Sequence, residues 1–266
     1  MTRSPNWVTN RFTEKMAGPL KSRKFIVALA VLLVFSSGVY AVISAQKRAA
    51  EMRCSNNLKM IGLALANYND TFWYFPAAHA AGHSWRIRCI PYMWASPQFD
   101  AYDFDIPWDS QNNITVHTRP LPGKTGNLVV YGHPYGPPCD HDDPDSTSYV
   151  LLVGKNAFAD GENGRNAADI TDGLANTIAA VEIADSLIHW LSPNDLDIDT
   201  MSFKINDGPN SISSHHPTGP AVLFCDGAVF RMNPETPPDI VRAMCTIDGG
   251  ENVSRDFLIS QGYLKP

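Results

Sequence analysis

Two patterns of apolar residues lie end to end near the start of this chain. The first is a charge-free run from Phe25 to Ile43; the second sets Cys54, Leu58, Ile61, Leu65 and Tyr68 at successive spacings of four, three, four and three. No proline interrupts the stretch from Lys24 to Asp70, so both patterns predict one long helix. As a helix the first run rises about 28 Å, close to the roughly 30 Å hydrocarbon core of a bilayer. The second is a single stripe, with Arg53, Asn56, Lys59 and Asn67 largely off it, as a helix burying one face against protein requires. Asn69 and Asp70 are expected to end the helix, and Pro76 prevents its resumption.

Further along, the period changes. Tyr149 to Val153 reads as a strand ending at Gly154, and Ile178 to Ile183 as a buried strand in which the Glu182 charge needs a partner or exposure. Two apolar runs, Ala221 to Cys225 and Ala228 to Met232, flank Asp226-Gly227. They predict a β-hairpin with a type I′ turn, both central residues taking positive φ. Asp160 to Gly164 is turn material, and Ala167 to Thr177 is a loop with a turn at Asp172-Gly173. Residues 233 to 266 read as peripheral, with a short helix, Ile240 to Cys245, started by Pro237-Pro238 and broken at Gly249-Gly250. The aromatic-rich segment from Thr71 to Pro122 is expected to pack on the helix stripe; a carbohydrate-binding platform is the sharper reading of the same residues.

Charge divides the chain at the apolar run. Arg3, Arg11, Lys15, Lys21, Arg23 and Lys24 face Glu14 alone in residues 1 to 24, which leaves fifteen basic and twenty-six acidic residues beyond. The positive-inside rule then keeps residues 1 to 24 as a cytoplasmic arm, makes 25 to 46 a transmembrane helix, and places 47 to 266 outside the cytoplasm. In that extracytoplasmic domain the helix continues over 47 to 69. An acidic exterior argues against nucleic acid as a partner, because phosphate binding requires concentrated Lys and Arg. A cleaved secretory signal, with Ala41-Val42-Ile43-Ser44-Ala45 as a poor cleavage site, is the competing reading of the apolar run. Five cysteines, Cys54, Cys89, Cys139, Cys225 and Cys245, cannot all pair internally; one or two disulfides are compatible with an oxidising compartment.

Candidate chemistry is sparse. A proline-interrupted loop from Val130 to Ser148 carries His133, Cys139 and His141, which suit zinc, and Asp140, Asp142 and Asp145, which suit calcium. Neither set has the spacing of a standard site, so a solvated acidic loop is expected, and calcium is the one cofactor candidate retained. Asp172, Asn176 and Glu182 form a second group that would contact an ion or a partner backbone if they converge. His216, just ahead of the hairpin, is placed to hydrogen-bond across it or to share a metal with Asp226, and Gly227 is there for its backbone. No H-E-x-x-H, G-x-S-x-G or G-x-G-x-x-G occurs, so no enzymatic centre is expected.

Several motifs in order carry a resemblance: Cys54-Ser-Asn-Asn-Leu-Lys-Met-Ile-Gly-Leu-Ala-Leu-Ala-Asn-Tyr68, Phe75-Pro76, Ser84-Trp85-Arg86, Pro107-Trp108-Asp109-Ser110 with Asn113, Ile170 to Thr177 with Glu182, and His216 through Asp226-Gly227. The chain resembles a large bacterial family of unknown function, expanded in planctomycetes, with a type IV prepilin-like N-terminus and a C-terminal His-x9-Asp-Gly signature. Here Lys24 stands where the processed glycine would be, and Leu29 where prepilins carry the glutamate that guides assembly. The resemblance implies an α+β protein, a long N-terminal helix packed on a mostly antiparallel sheet as in pilins and pseudopilins. It implies a membrane-anchored, structural role in envelope or secretion assembly, with the lipid bilayer and other pilin-like or envelope proteins as partners. An anchored module that captures a solute, glycan or metal is the expectation from a different functional class.

Overall fold

The computed structural model describes residues 23–93, 96–116, 135 and 145–265. The chain divides into two compact units, Met1–Ala49 and Ala50–Pro266. Helix α1, Arg23–Phe72, supplies the described part of the first and continues into the second. In the first unit the large apolar side chains from Phe25 to Ile43 are exposed. The serine hydroxyls in and beside that run are satisfied internally: Ser36, Ser37 and Ser44 each donate to the carbonyl three residues back.

In the second unit, α1 buries Cys54, Leu58, Ile61 and Leu65 of the expected stripe, with Ala64 beside them, while Tyr68 at its end is half-buried. Fully burying a leucine or isoleucine stabilises by roughly 1.5–3 kcal/mol, so this face alone fixes the helix to the body. The helix runs past Asn69 and Asp70 to Phe72. It is closed by Trp73, which takes φ +68° and donates its amide to the Asn69 carbonyl at 2.7 Å. A left-handed residue at that point captures a carbonyl left without a helical partner.

After α1 come the short strands β1 (His79–Ala80) and β2 (His83–Ser84), then α2 (Trp85–Cys89), capped by the Ser84 side chain, and a 3-10 turn at Ile90–Met93. Helices α3 (Ser96–Ala101) and α4 (Gln111–Ile114) follow. Buried Asn113 stitches their connection, accepting from the Asp103 amide and donating to the carbonyls of Asp103 and Pro107. The remaining elements are β3 (Tyr149–Val153), β4 (Ile178–Glu182), β5 (Leu196–Asp197), β6 (Ala221–Phe224), β7 (Val229–Met232), α5 (Pro238–Cys245), α6 (Arg255–Ser260) and β8 (Leu264–Lys265). A 3-10 turn, Ala167–Asp169, interrupts the loop before β4.

The described residues form a sheet of order β5-β3-β4-β6-β7-β8, antiparallel throughout except for the β3–β5 pair. This is an α+β fold. Strand alternation splits the core in two. Tyr149, Leu151, Ala221 and Leu223 join the α1 stripe and Trp85, while Val150, Leu152, Val222 and Phe224 pack with Val241, Met244 and Leu258 from α5 and α6. The C-terminal residues are thus not peripheral, since they cover the second face and add β8 to the sheet edge.

The hairpin is present, but its turn is not type I′. Only Gly227 has positive φ, at +88°; Asp226 does not. The Gly227 amide donates to the Phe224 carbonyl and the Phe224 amide to the Ala228 carbonyl, both at 2.9 Å. That is a three-residue loop, a turn followed by a left-handed bulge glycine, which spares Asp226 the left-handed conformation.

The Ser84-Trp85-Arg86 motif is explained by a second buried array. Arg86 and Asp195 are ion-paired at 2.6 Å with both side chains at 0% exposure. Asp195 also accepts from the Trp85 ring N–H and the Leu151 amide, and Arg86 donates to the Tyr149 carbonyl. Each buried charge is therefore matched, as burial requires. Among the described residues, no two of Cys54, Cys89, Cys225 and Cys245 form a disulfide; Cys139 lies outside them.

Candidate functional site

Strand register assembles one polar row beneath α1. Tyr149 pairs with Glu182 between β3 and β4, and Ala221 pairs with Arg231 between β6 and β7. Val181 pairs with Val222, and continuing that register sets Glu182 opposite Ala221. Directly paired residues share a face. Tyr149, Glu182, Ala221 and Arg231 therefore run side by side across four strands on the face that α1 covers.

Ala221 is small, and its neighbours meet above it. Arg231 Nη1 donates to Glu182 Oε2 at 3.0 Å, and the Ala221 amide donates to the same oxygen at 2.8 Å. The other oxygen, Oε1, accepts from Ser214 Oγ at 2.8 Å and lies 3.5 Å from His216 Nε2. Ser214 Oγ in turn accepts from the His216 amide at 3.1 Å, which fixes the loop that carries the imidazole. The Glu182 charge is thus compensated, as its burial demands.

Helix α1 supplies the lid of this row with three positions spaced three apart, hence on one helical face. The Glu51 carbonyl accepts from Arg231 Nη2 at 2.5 Å, Cys54 Sγ lies 2.9 Å from His216 Nε2, and Asn57 Nδ2 donates to Tyr149 Oη at 3.3 Å. Cys54, Glu182 and His216 are all buried, and one donor atom from each lies within 4.8 Å of the others. Burial, with the neighbouring Cys54 and Glu182 adding to it, holds the Tyr149 phenol well above its ordinary value of 10.

Chemically, the trio presents a sulfur, an imidazole nitrogen and a carboxylate oxygen, the three donor types that zinc accepts. A thiol beside an imidazole is also a nucleophile–base arrangement. Cys54 is only 1% exposed, however, so its sulfur is closed to a substrate. As hydrogen bonds alone, the cluster locks α1 to the sheet.

Residues 44–143 match a family model described as "Protein of unknown function (DUF1559)". Over that stretch the chain is similar to a family of unknown function. The match takes in Cys54, Arg86 and Asn113 and stops short of Glu182, His216 and Arg231. No curated protein and no solved structure matches the chain.

The other residues singled out from sequence are placed elsewhere. His216 does not meet Asp226: the histidine lies at the Cys54–Glu182 cluster, while Asp226 sits at the hairpin tip with Arg255 at 2.6 Å. Asp172 accepts from the amides of Gly249 and Gly250, and Asn176 joins it there, donating to the Asp172 carbonyl and accepting from the Arg255 amide. These two pin the C-terminal segment; Glu182 shares none of their partners. Asp140, Asp142, His133, Cys139 and His141 lie outside the described residues. Asp145 is within them, its carbonyl accepting from the Trp190 amide at 2.9 Å.

Of the aromatic segment, Phe75, Trp85 and Tyr102 are core, while Phe72, Trp73 and Tyr74 are exposed. Cys54 and Arg231 were not identified as site residues from the sequence. The signal for Cys54 was its place on the buried stripe, and for Arg231 the need of buried Glu182 for a cation.

Proposed function

We propose that this is a single-pass membrane protein, anchored by the apolar part of α1, whose residues 47–266 stand outside the cytoplasm as a non-enzymatic module in envelope or secretion-related assembly. One observation carries the reading. The run after Phe25 is strongly apolar, and none of it is buried by the other described residues. A helix of that composition inside a water-soluble protein would bury its apolar side chains; this one leaves them all outward, where lipid stabilises them. The basic residues before the run favour a cytoplasmic N-terminus. The sealed Cys54–Glu182–His216 cluster supports an architectural rather than a catalytic body. Its partners are the bilayer and, on this reading, other pilin-like or envelope proteins.

The test is extraction from native membranes. The chain is expected to stay with the membrane through an alkaline carbonate wash and to show an intact mass that includes residues 1–24. Release by carbonate, with a new N-terminus after Ala45, would replace the anchor by a cleaved signal.

A further inference from the structure

We propose that Cys54, Glu182 and His216 bind one zinc ion that clamps α1 to the sheet. The donors come from three separate parts of the fold: the buried stripe of α1, the end of β4, and the loop ahead of β6. Bringing a thiol, a carboxylate and an imidazole together in the core is costly unless each gains a strong partner. A borderline divalent ion suits all three at once.

The distances fit with a small adjustment. In a tetrahedral shell with bonds of about 2.3 Å to sulfur and about 2.0–2.1 Å to nitrogen, sulfur and nitrogen stand about 3.5 Å apart. The Cys54 Sγ–His216 Nε2 contact, 2.9 Å, must open by roughly 0.6 Å to reach that value. His216 Nε2 and Glu182 Oε1 are already 3.5 Å apart. Binding forms the zinc–sulfur, zinc–nitrogen and zinc–oxygen bonds and releases the Cys54 thiol proton to solvent.

The surroundings are arranged for a ligand carboxylate with a defined inner oxygen. Arg231 and the Ala221 amide hold Oε2, which leaves Oε1 facing His216 and Cys54, steadied by Ser214. Such outer partners orient metal ligands and set their affinity.

The experiment uses the full chain in detergent micelles, stripped with a chelator and titrated with Co²⁺ as a spectroscopic stand-in, then with Zn²⁺. One equivalent of Co²⁺ is expected to bind with a thiolate-to-metal charge-transfer band that Zn²⁺ abolishes. The band is expected to vanish in C54S, and affinity to fall at least tenfold in E182Q. It should persist in C245S, whose thiol is buried on the other face of the sheet, and in H141A, which removes a ligand from the acidic loop. Folded wild-type chain that binds no Co²⁺, or binds it without a thiolate band, overturns the proposal, as does a band that survives in C54S. Because the wild-type titration decides by itself, a C54S chain that fails to fold does not rescue the idea. The outcome is independent of the anchor reading, which the carbonate wash tests separately.

Discussion

Replacing Glu182 by glutamine keeps the shape of the side chain and removes its charge. Four groups are aimed at the carboxylate: Arg231 Nη1 and the Ala221 amide at Oε2, and Ser214 Oγ and His216 Nε2 at Oε1. An amide can keep its one acceptor oxygen toward Arg231 and the Ala221 amide, turning its N–H donors to Ser214 Oγ and His216 Nε2, so the hydrogen bonds can rearrange. The loss is electrostatic. The Arg231 side chain is 7% exposed, and its other partners, the carbonyls of Gly219 and Glu51, are neutral. Breaking a buried pair by removing one partner costs about 3–5 kcal/mol, whereas removing both is often close to neutral. With chelator present, urea unfolding of the full chain in micelles should therefore show E182Q destabilised by about 3–5 kcal/mol. R231M should fall by a similar amount, and the E182Q/R231M double variant should lose far less than the sum. A loss below about 1 kcal/mol in E182Q, or additive losses in the double variant, would refute the reasoning, because either would mean that the buried guanidinium does not depend on the carboxylate.

Two further outcomes follow from backbone and burial. Gly227→Ala meets open space and suffers only the left-handed backbone cost, about 1–2 kcal/mol in an unfolding titration, while Gly219→Ala sets its Cβ 2.0 Å from the Met232 carbonyl oxygen and should exceed about 4 kcal/mol or fail to fold. His83 Nε2 lies 3.1 Å from the Phe104 carbonyl, which can only accept, so neutral Nδ1 accepts from the Tyr102 hydroxyl at 2.6 Å. Burial holds this imidazole below 6.5, with the Phe104 carbonyl pulling the other way and Arg88 adding to the depression. The fold therefore binds fewer protons here than the unfolded chain does. The contribution of His83 is full above pH 6.5 or so and is lost as pH falls through the lowered folded value. Stability measured from pH 7 to 5 should fall less steeply in H83Q, by up to about 1.4 kcal/mol per pH unit.

Local pattern was enough to read much of the fold. The helix stripe from Cys54 to Leu65, the strands β3 and β4, and the β6–β7 hairpin from Ala221 to Met232 all rest on periodicity and on turn residues close in sequence. The helix end and the turn type were missed by a residue or two, because the helix runs past Asn69 and Asp70 to be closed by Trp73, and Gly227 alone, without Asp226, takes the left-handed backbone. Of the C-terminal elements, α5 was read within two residues of its start, while α6 and β8 were missed because they are short, and only the sheet face and edge they cover explain them. The site was half visible. Glu182 stood out as a buried charge needing a partner and His216 as an unexplained histidine, but both were assigned neighbours close in sequence. Their actual partners are fixed by the register of four strands and one helix turn, which no local rule carries.

The interactions of Asn57, Cys54 and Glu51 with the sheet span 92, 162 and 180 residues of chain. The stripe on α1 is made early in synthesis, yet its cover, β6 and β7, is made among the last residues. Until then the row of leucine and isoleucine side chains has only part of its cover, from Trp85, Tyr149 and Leu151. Contacts of such long range close slowly. The nascent protein thus has a long interval in which its helix is open to other molecules: a chaperone, the membrane surface, or the same helix of a sister chain.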